Sequence, residues 1–374
     1  MANIIRKIGR AVSIGIDNIC ESKRSYLIAR KFDREAKIRL KLIKGGYRGS
    51  KREFEDYVIK PWAKYGVKPK KFWYDLFCGS KGKYDYRFIP DPLWYLKILS
   101  YFNNFPIFNA YADKGMLSRI LPDVKKPETV VKNIAGYYYN GDKEQLITQR
   151  EAERLCEQED HLIIKPYRGS EGKGIIFYDK DNPDSPTVRD IFNSLKFGFV
   201  VQKIVRQHKD FARLNKDSVN TLRVLSFHFK GNVHILSAQL RIGGKGVRVD
   251  NVSSGGSACP VHTDGRLYEK AVNRQSKWAE ISPSGVKYKD FVIPNYIGII
   301  ETIKRLHCQL PYFNIVGWDF TVDESGDPVL IEFNLKPAQN QIGCGLPTFG
   351  ELTDEVLEDV FIKKTLEGAF SLGD

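Results

Sequence analysis

The chain has 374 residues, 42% hydrophobic and 28% charged, with 31 Gly and 17 Pro, a globular balance that excludes a disordered tail protein or a collagen-like one. That length favours two domains, or one with a large appendage; no run of 18 apolar residues occurs, so a transmembrane helix is not expected. Net charge is +14 but unevenly placed: residues 1–50 hold 13 Lys/Arg against 4 Asp/Glu, and the remaining 324 hold 46 against 41.

In chain order, residues 1–105 form a basic, mainly helical region. Scattered charges in its first twenty residues argue against a secretory signal. From Ser22 to Lys44, Tyr26, Leu27, Ala29, Phe32, Ala36, Ile38, Leu40 and Leu42 recur among basic residues. Trp62, Tyr65, Phe72, Trp73, Tyr74, Phe77, Tyr84, Tyr86, Phe88 and Trp94 follow, a density that predicts a packed helical domain rather than a base-stacking surface. A nucleic-acid enzyme spreads its basic stripe through the folded body, so no nucleic acid is expected as a partner. A local basic segment over residues 1–50 suits an anionic membrane or an anionic partner, unless it is simply a solvated helix. Pro90-Asp91-Pro92 turns the chain into a helical stretch over Leu93–Phe102.

After Pro106 the texture changes. Strands are predicted over His161–Lys165, Gly174–Tyr178, Gly198–Lys203, Val219–Lys230, Val233–Ile242, Ile315–Val322 and Val329–Asn334, and helices over Lys143–Gln158, Val188–Lys196, Asn295–Leu310 and Asp354–Gly368. Hairpins with helices packed on them give an α+β class. Cys20, Cys78, Cys156, Cys259, Cys308 and Cys344 lack metal spacing and suit free thiols in a reducing cytoplasm.

Two segments carry chemistry. In His161–Tyr178 a strand ending in Lys165 meets Gly169, Ser170, Gly172 and Gly174, where backbone N–H groups can approach an anion; it is not a Walker A loop. In Asn314–Asn334, a hairpin closing on Ser325-Gly326, or on the four residues Glu324–Asp327, sets Asp319 directly opposite Glu332, with Asn334 on the same face as Glu332. Opposed carboxylates among buried-strand residues need neutralising, and a hard divalent cation shared with substrate phosphates fits.

In order and approximate spacing, Lys165-Pro with GSEGKG, Val201-Gln-Lys-Ile-Val205, Asn220-Thr-Leu-Arg-Val224, Asp319 and Glu332-Phe-Asn334 resemble the ATP-grasp superfamily over about 260 residues. Gln207-His208, Ser218–Arg223, Asp250-Asn251, Gly255-Gly256, Val316–Asp319 and Gly345-Leu-Pro347 resemble its sugar-transfer-associated group. The resemblance implies an ATP-grasp fold in a domain over 106–374, with a lid and phosphate-loop part at about 106–205 and a metal-binding and substrate part at about 206–374. In it Lys114 and Lys165 contact ATP phosphates under a Gly169–Gly174 lid. The resemblance also implies adenine contact by Gln202, Lys203, Ile204 and Val205, and places Arg223, Arg241 and Asn251 toward the triphosphate or an acyl phosphate. Asp319, Glu332 and Asn334 would hold Mg²⁺, with Mn²⁺ an alternative, and Lys336 would stand beside the transferred phosphate.

One internal check concerns Val219–Ile242. A two- or four-residue loop centred on Gly231-Asn232 puts Arg223 and Arg241 on opposite faces; a three-residue loop, Lys230–Asn232, puts both on one. A shared phosphate role predicts the odd loop, with a bulge as the device. No His pair has ligand spacing, so His161, His234 and His307 suit packing or surface, with His208 and His262 lone candidates near the site. No GxSxG elbow supports a Ser–His–Asp triad, and Cys259 and Cys344 suit Gly-rich loops rather than nucleophilic duty.

The expected function is an ATP- and Mg²⁺-dependent carboxylate–amine ligase working through an acyl phosphate. Resemblance alone points to a surface-polysaccharide or related glycan precursor, in the cytoplasm or at the inner membrane face. The rivals are a kinase on the same scaffold and a non-catalytic nucleotide-binding module.

Overall fold

The computed structural model describes residues 2–43, 45–79, 81–141, 143–167, 174–250 and 252–370, with side chains from Ser22 onward except Ser253. They divide into two units, Met1–Tyr101 with Gly345–Ala369 and Phe102–Cys344 with Phe370–Asp374.

In the first unit a helix runs over Ala2–Leu42. Its inner face buries Ala36 and Leu40 and stacks Phe32 on Tyr95 at 4.8 Å between ring centroids. Buried Asp33 accepts hydrogen bonds from the Trp73 indole at 2.9 Å and from the Lys70 ammonium. Trp62, Tyr74, Phe88 and Trp94 fill the interior. Trp62 donates to the Tyr86 carbonyl at 2.9 Å and Tyr74 to that of Phe88 at 3.0 Å, so these rings are packing elements with satisfied polar edges. Asp354 accepts from Lys64, Tyr65 and Tyr86 at 2.9, 2.7 and 2.8 Å. The helix expected over Asp354–Gly368 is shorter: Thr353–Glu358 continues as one wider turn, Asp359–Lys363, and Lys364 at φ 52° stops it.

The second unit holds two antiparallel sheets. Strands β1 (Thr129–Ile134), β2 (Tyr137–Asn140), β3 (Leu146–Ile147), β4 (His161–Pro166), β5 (Ile176–Asp179) and β6 (Phe199–Lys203) form one, ordered β3-β2-β1-β6-β4-β5. Strands β7 (Thr221–Phe229), β8 (Asn232–Ile242), β9 (Ser257–Pro260), β10 (Ala271–Asn273), β11 (Trp278–Ala279), β12 (Ile315–Val322) and β13 (Pro328–Asn334) form the other, ordered β11-β10-β9-β8-β7-β12-β13. In the larger sheet Leu222, Val224, Leu240, Trp318 and Phe320 pack with Ile299, Ile303 and Leu306 of the helix Tyr296–His307. That side is core, and the alternating residues of β7, β8 and β12 are left for the opposite face. The helix expected from Lys143 begins only at Gln149, because Leu146–Ile147 pairs with β2 and Thr148 caps the helix in a reciprocal box with Glu151.

Both chemistry-bearing hairpins differ from expectation at their turns. The β7–β8 loop is Lys230-Gly231, both at positive φ (50° and 78°), so Phe229 pairs with Asn232. A bulge at Leu236 then shifts the ladder: Ser226 pairs with Ile235, but Leu225 pairs with Ser237 and Arg223 with Gln239. Arg223 and Arg241 therefore share a face, as a common role requires, through a bulge after an even loop rather than through an odd loop. In β12–β13, Val322 pairs with Pro328 around a five-residue loop, Asp323–Asp327, neither the two- nor the four-residue closure expected. Phe320 then pairs with Leu330 while Asp319 still faces Glu332, with Ile331 as the extra residue. The physical reason is parity. Leu330 and Glu332 would share a face in a regular strand, yet one belongs with core Phe320 and the other with Asp319.

Candidate active site

Register alone assembles most of the site. Gln239, Arg223, Asp319 and Glu332 form one row across β8, β7, β12 and β13, with Arg241 opposite Thr221 in the next row. On the other side Asn334 faces Gly317. A Cβ on Gly317 would lie 2.9 Å from the Pro337 Cβ, so glycine lets the segment that follows β13 pack close to this row.

The Arg223 Nε and Nη2 grip the two oxygens of Asp319 as a fork, and Arg241 Nη1 lies 3.5 Å from the same carboxylate. Burial opposes ionisation of Asp319, but the two guanidinium charges prevail and bring its pKa down to about 2. The Arg241 Nε is buried with no partner among the described residues. The Thr221 hydroxyl donates to Asp250. Burial raises Asp250 to about 6, against the charge of Arg241 and the Thr221 hydrogen bond.

The smaller sheet and the preceding segment contribute the lysines. Asp113 accepts from the Gly115 N–H at 2.8 Å and so caps the short turn that carries Lys114. A Cβ on Gly115 would fall 2.4 Å from the Tyr167 hydroxyl, so glycine lets this turn approach the end of β4. Lys114 Nζ lies 3.8 Å from Glu332 Oε2. Lys165, on β4, donates to Gln202 on β6 at 3.0 Å. Burial lowers its pKa, Glu332 opposes that shift and Lys114 adds to it.

The other expected site residues are more dispersed. Lys203 pairs with Glu128 and Glu159 at 2.9 and 3.0 Å, and its backbone N–H donates to the Glu128 carbonyl. Ile204 and Val205 follow β6 and leave the sheet. The Lys336 ammonium lies over the rings of Phe105 and Phe108, at 4.4 and 4.1 Å. Gly174 has φ 76°. Gly169, Ser170, Gly172 and Asn251 lie outside the described residues. Sequence reasoning gives no role to Asp250, Thr221 or Gln239; strand register could find the last two, whereas Asp250 sits in a loop whose path no periodicity fixes.

A magnesium ion suits this donor set. Two carboxylates and a carboxamide supply hard oxygens from adjacent rows. Such an ion is typically held by one or two carboxylates together with substrate phosphates; among the described residues no three His, Cys, Asp or Glu side chains cluster as a metal cage.

The description of the sugar-transfer associated ATP-grasp family matches residues 102–352. Similar solved structures include the ATP-grasp ligase PsnB complexed with minimal precursor, Mg and ADP (10% identity, TM-score 0.41, 69% of this chain and 62% of that one). Others are D-alanyl-alanine synthetase A from Vibrio cholerae O1 biovar eltor (12%, 0.41, 70% and 66%) and the VanG D-Ala:D-Ser ligase from Enterococcus faecalis (13%, 0.40, 70% and 62%). The chain thus spans less than two thirds of the length of these proteins. A search of curated proteins gives no match.

Proposed function

Because this chain belongs to the sugar-transfer associated ATP-grasp family, with an α+β ATP-grasp fold, we propose that it is an ATP- and Mg²⁺-dependent carboxylate–amine ligase acting on a surface-polysaccharide or related glycan precursor. The observation that carries this reading is the arrangement of four cations, Arg223, Arg241, Lys114 and Lys165, around Asp319 and Glu332. Without nucleotide the cations neutralise the carboxylates. With ATP bound, the phosphates would take the arginines and lysines, and Asp319, Glu332 and Asn334 would be released to hold Mg²⁺. The ion would supply charge neutralisation at the β- and γ-phosphates.

The balance of the two steps is simple. A substrate carboxylate oxygen attacks the γ-phosphorus, the bond from that phosphorus to the bridging oxygen breaks, and ADP leaves behind an acyl phosphate. An amine nitrogen attacks the acyl carbon, the C–N bond forms, inorganic phosphate leaves, and the ammonium proton passes to phosphate or solvent. Arg223 and Arg241 would orient the phosphoryl group, and the Arg241 Nε, without a partner among the described residues, offers one further donor. Lys114 and Lys165 would bind phosphate, Gln202 to Val205 the base, and the Gly169–Gly174 segment would exclude water from the acyl phosphate. Lys336 and Asn251 would add contacts to the phosphates, as the family resemblance implies. The enzyme would work in the cytoplasm, held to an anionic membrane through residues 1–50; among the described residues no helix is long and apolar enough to cross one.

The test is product analysis with Mg·ATP and panels of uronic acids and amines. Stoichiometric ADP and inorganic phosphate with an amide product supports the ligase. A stable phosphorylated sugar would replace it with the kinase, and no nucleotide binding would leave a module of another kind.

A further inference from the structure

We infer that one exposed face of the N-terminal helix, Leu27-Lys31-Arg34-Ile38-Lys41-Leu42, lies in the plane of an anionic lipid surface. This inference rests on the proposed peripheral location but not on the ligase chemistry. These residues follow one another at helical spacing within Ala2–Leu42 and are all exposed. Leu27, Ile38 and Leu42 are 55%, 50% and 54% exposed, although apolar side chains are available to pack on the core side of the same helix. That other side is already used: Ala36 and Leu40 are buried, Phe32 stacks on Tyr95, and Asp33 is bonded to Trp73 and Lys70. The fold itself therefore gives no reason for aliphatic residues on the outer face.

Charge identifies the occupant. From Ser22 to Leu42 the helix holds Lys23, Arg24, Arg30, Lys31, Arg34, Lys37, Arg39 and Lys41 against Asp33 and Glu35, and Asp33 is bonded internally. Three aliphatic residues interleaved with long basic side chains suit a shallow contact: the aliphatics reach the acyl boundary while lysine and arginine stems lie along it and their heads meet lipid phosphates. In the sequence upstream, Ile4, Ile5, Ile8, Val12, Ile16 and Ile19 recur at intervals of mostly three or four, accompanied by Arg6, Lys7 and Arg10. An acidic protein would complement the charge but not the aliphatic residues.

The experiment is flotation of the full chain with vesicles of phosphatidylcholine alone and with 30% phosphatidylglycerol (roughly the anionic content of an inner leaflet) at about 0.1 M salt. Wild type should float only with the anionic vesicles. Lys31→Glu/Arg34→Glu/Lys41→Glu should lower the partition coefficient by about 100-fold or more, at roughly a tenfold loss per 1.4 kcal/mol. Leu27→Ser/Ile38→Ser/Leu42→Ser should lower it with little change in salt dependence. Both variants should keep the wild-type melting temperature and nucleotide response, because the substituted side chains are exposed. If both bind like wild type while deletion of residues 2–21 abolishes flotation, this face is refuted and the peripheral location stands. If wild type ignores anionic vesicles, both fall, whereas the nucleotide response still judges the enzyme. Loss of self-association in the aliphatic variant, with no vesicle binding by wild type, would overturn the inference in favour of a second copy.

Discussion

Replacing Asp250 by Asn should stabilise the nucleotide-free protein at alkaline pH and do little at acid pH. The carboxyl is raised from its ordinary 3.8 to about 6, first by burial and then by the charges of Asp319 and Glu332, against Arg241 and Thr221. A carboxyl with a folded-state pKa above its unfolded value binds its proton more tightly when folded. Its penalty therefore grows as pH rises from about 4 through 6 and is complete by pH 8. At 1.36 kcal/mol per unit the full penalty is about 3 kcal/mol, falling to about 1 kcal/mol at pH 4.5. Asparagine keeps an oxygen for the Thr221 hydroxyl and carries no charge. Calorimetry should show Asp250→Asn melting higher than wild type by about 6–10 °C at pH 8, for a unit of this size, and by about a third of that at pH 4.5. A difference that is the same at both pH values, or a variant less stable at pH 8, would refute the electrostatic account of this carboxyl.

Three further outcomes follow from the same geometry. Glu332→Gln should abolish the Mg²⁺-dependent thermal shift that saturating ATP gives wild type, which at 100 times the dissociation constant is about 2.7 kcal/mol; titration by differential scanning fluorimetry reads it. Arg223→Leu should cost about 3–5 kcal/mol by leaving buried Asp319 to Arg241 alone, while Arg223→Leu/Asp319→Leu should recover most of that and still bind no nucleotide; urea denaturation with an ATP-binding assay checks both. Gly115→Ala should weaken ATP binding roughly tenfold with less effect on stability, since its Cβ would lie 2.4 Å from the Tyr167 hydroxyl and either that ring or the turn bearing Lys114 must shift; calorimetric titration decides it.

How much of this is legible in the sequence depends on what periodicity can carry. Alternation leaves the shared face of Arg223 and Arg241 open, since an even loop alone would part them, but Asp319 opposite Glu332 can be read because alternation is strict over a few residues. The turns cannot. Leu236 and Ile331 look like ordinary strand residues, and nothing in an aliphatic side chain announces that its backbone is unpaired. Leu146–Ile147 merges into a helix on the page because two residues are too few to show a period, although the Thr148–Glu151 box marks the true start. Lys114 is expected near phosphate by resemblance, but its closeness to Glu332 depends on Gly115 and Tyr167 meeting across 52 residues, which no local pattern records. Asp250 shows the same limit, since its pKa belongs to the company its loop keeps.

The bulges at Leu236 and Ile331 also bear on how this scaffold can change. On each hairpin core and site residues exchange phase at the bulge along a single strand: Ile235 and Gln239, or Leu330 and Glu332, would share a face in an unbroken ladder, yet the first of each pair packs with the core and the second lies in the site row. Turn and site are therefore written in separate reading frames joined by one spare residue. A lineage could shorten Asp323–Asp327, or graft a new loop at Lys230-Gly231, and correct the phase at the bulge without moving a charged side chain of the site row. The site rows are thus insulated by one residue from changes of length at the turn.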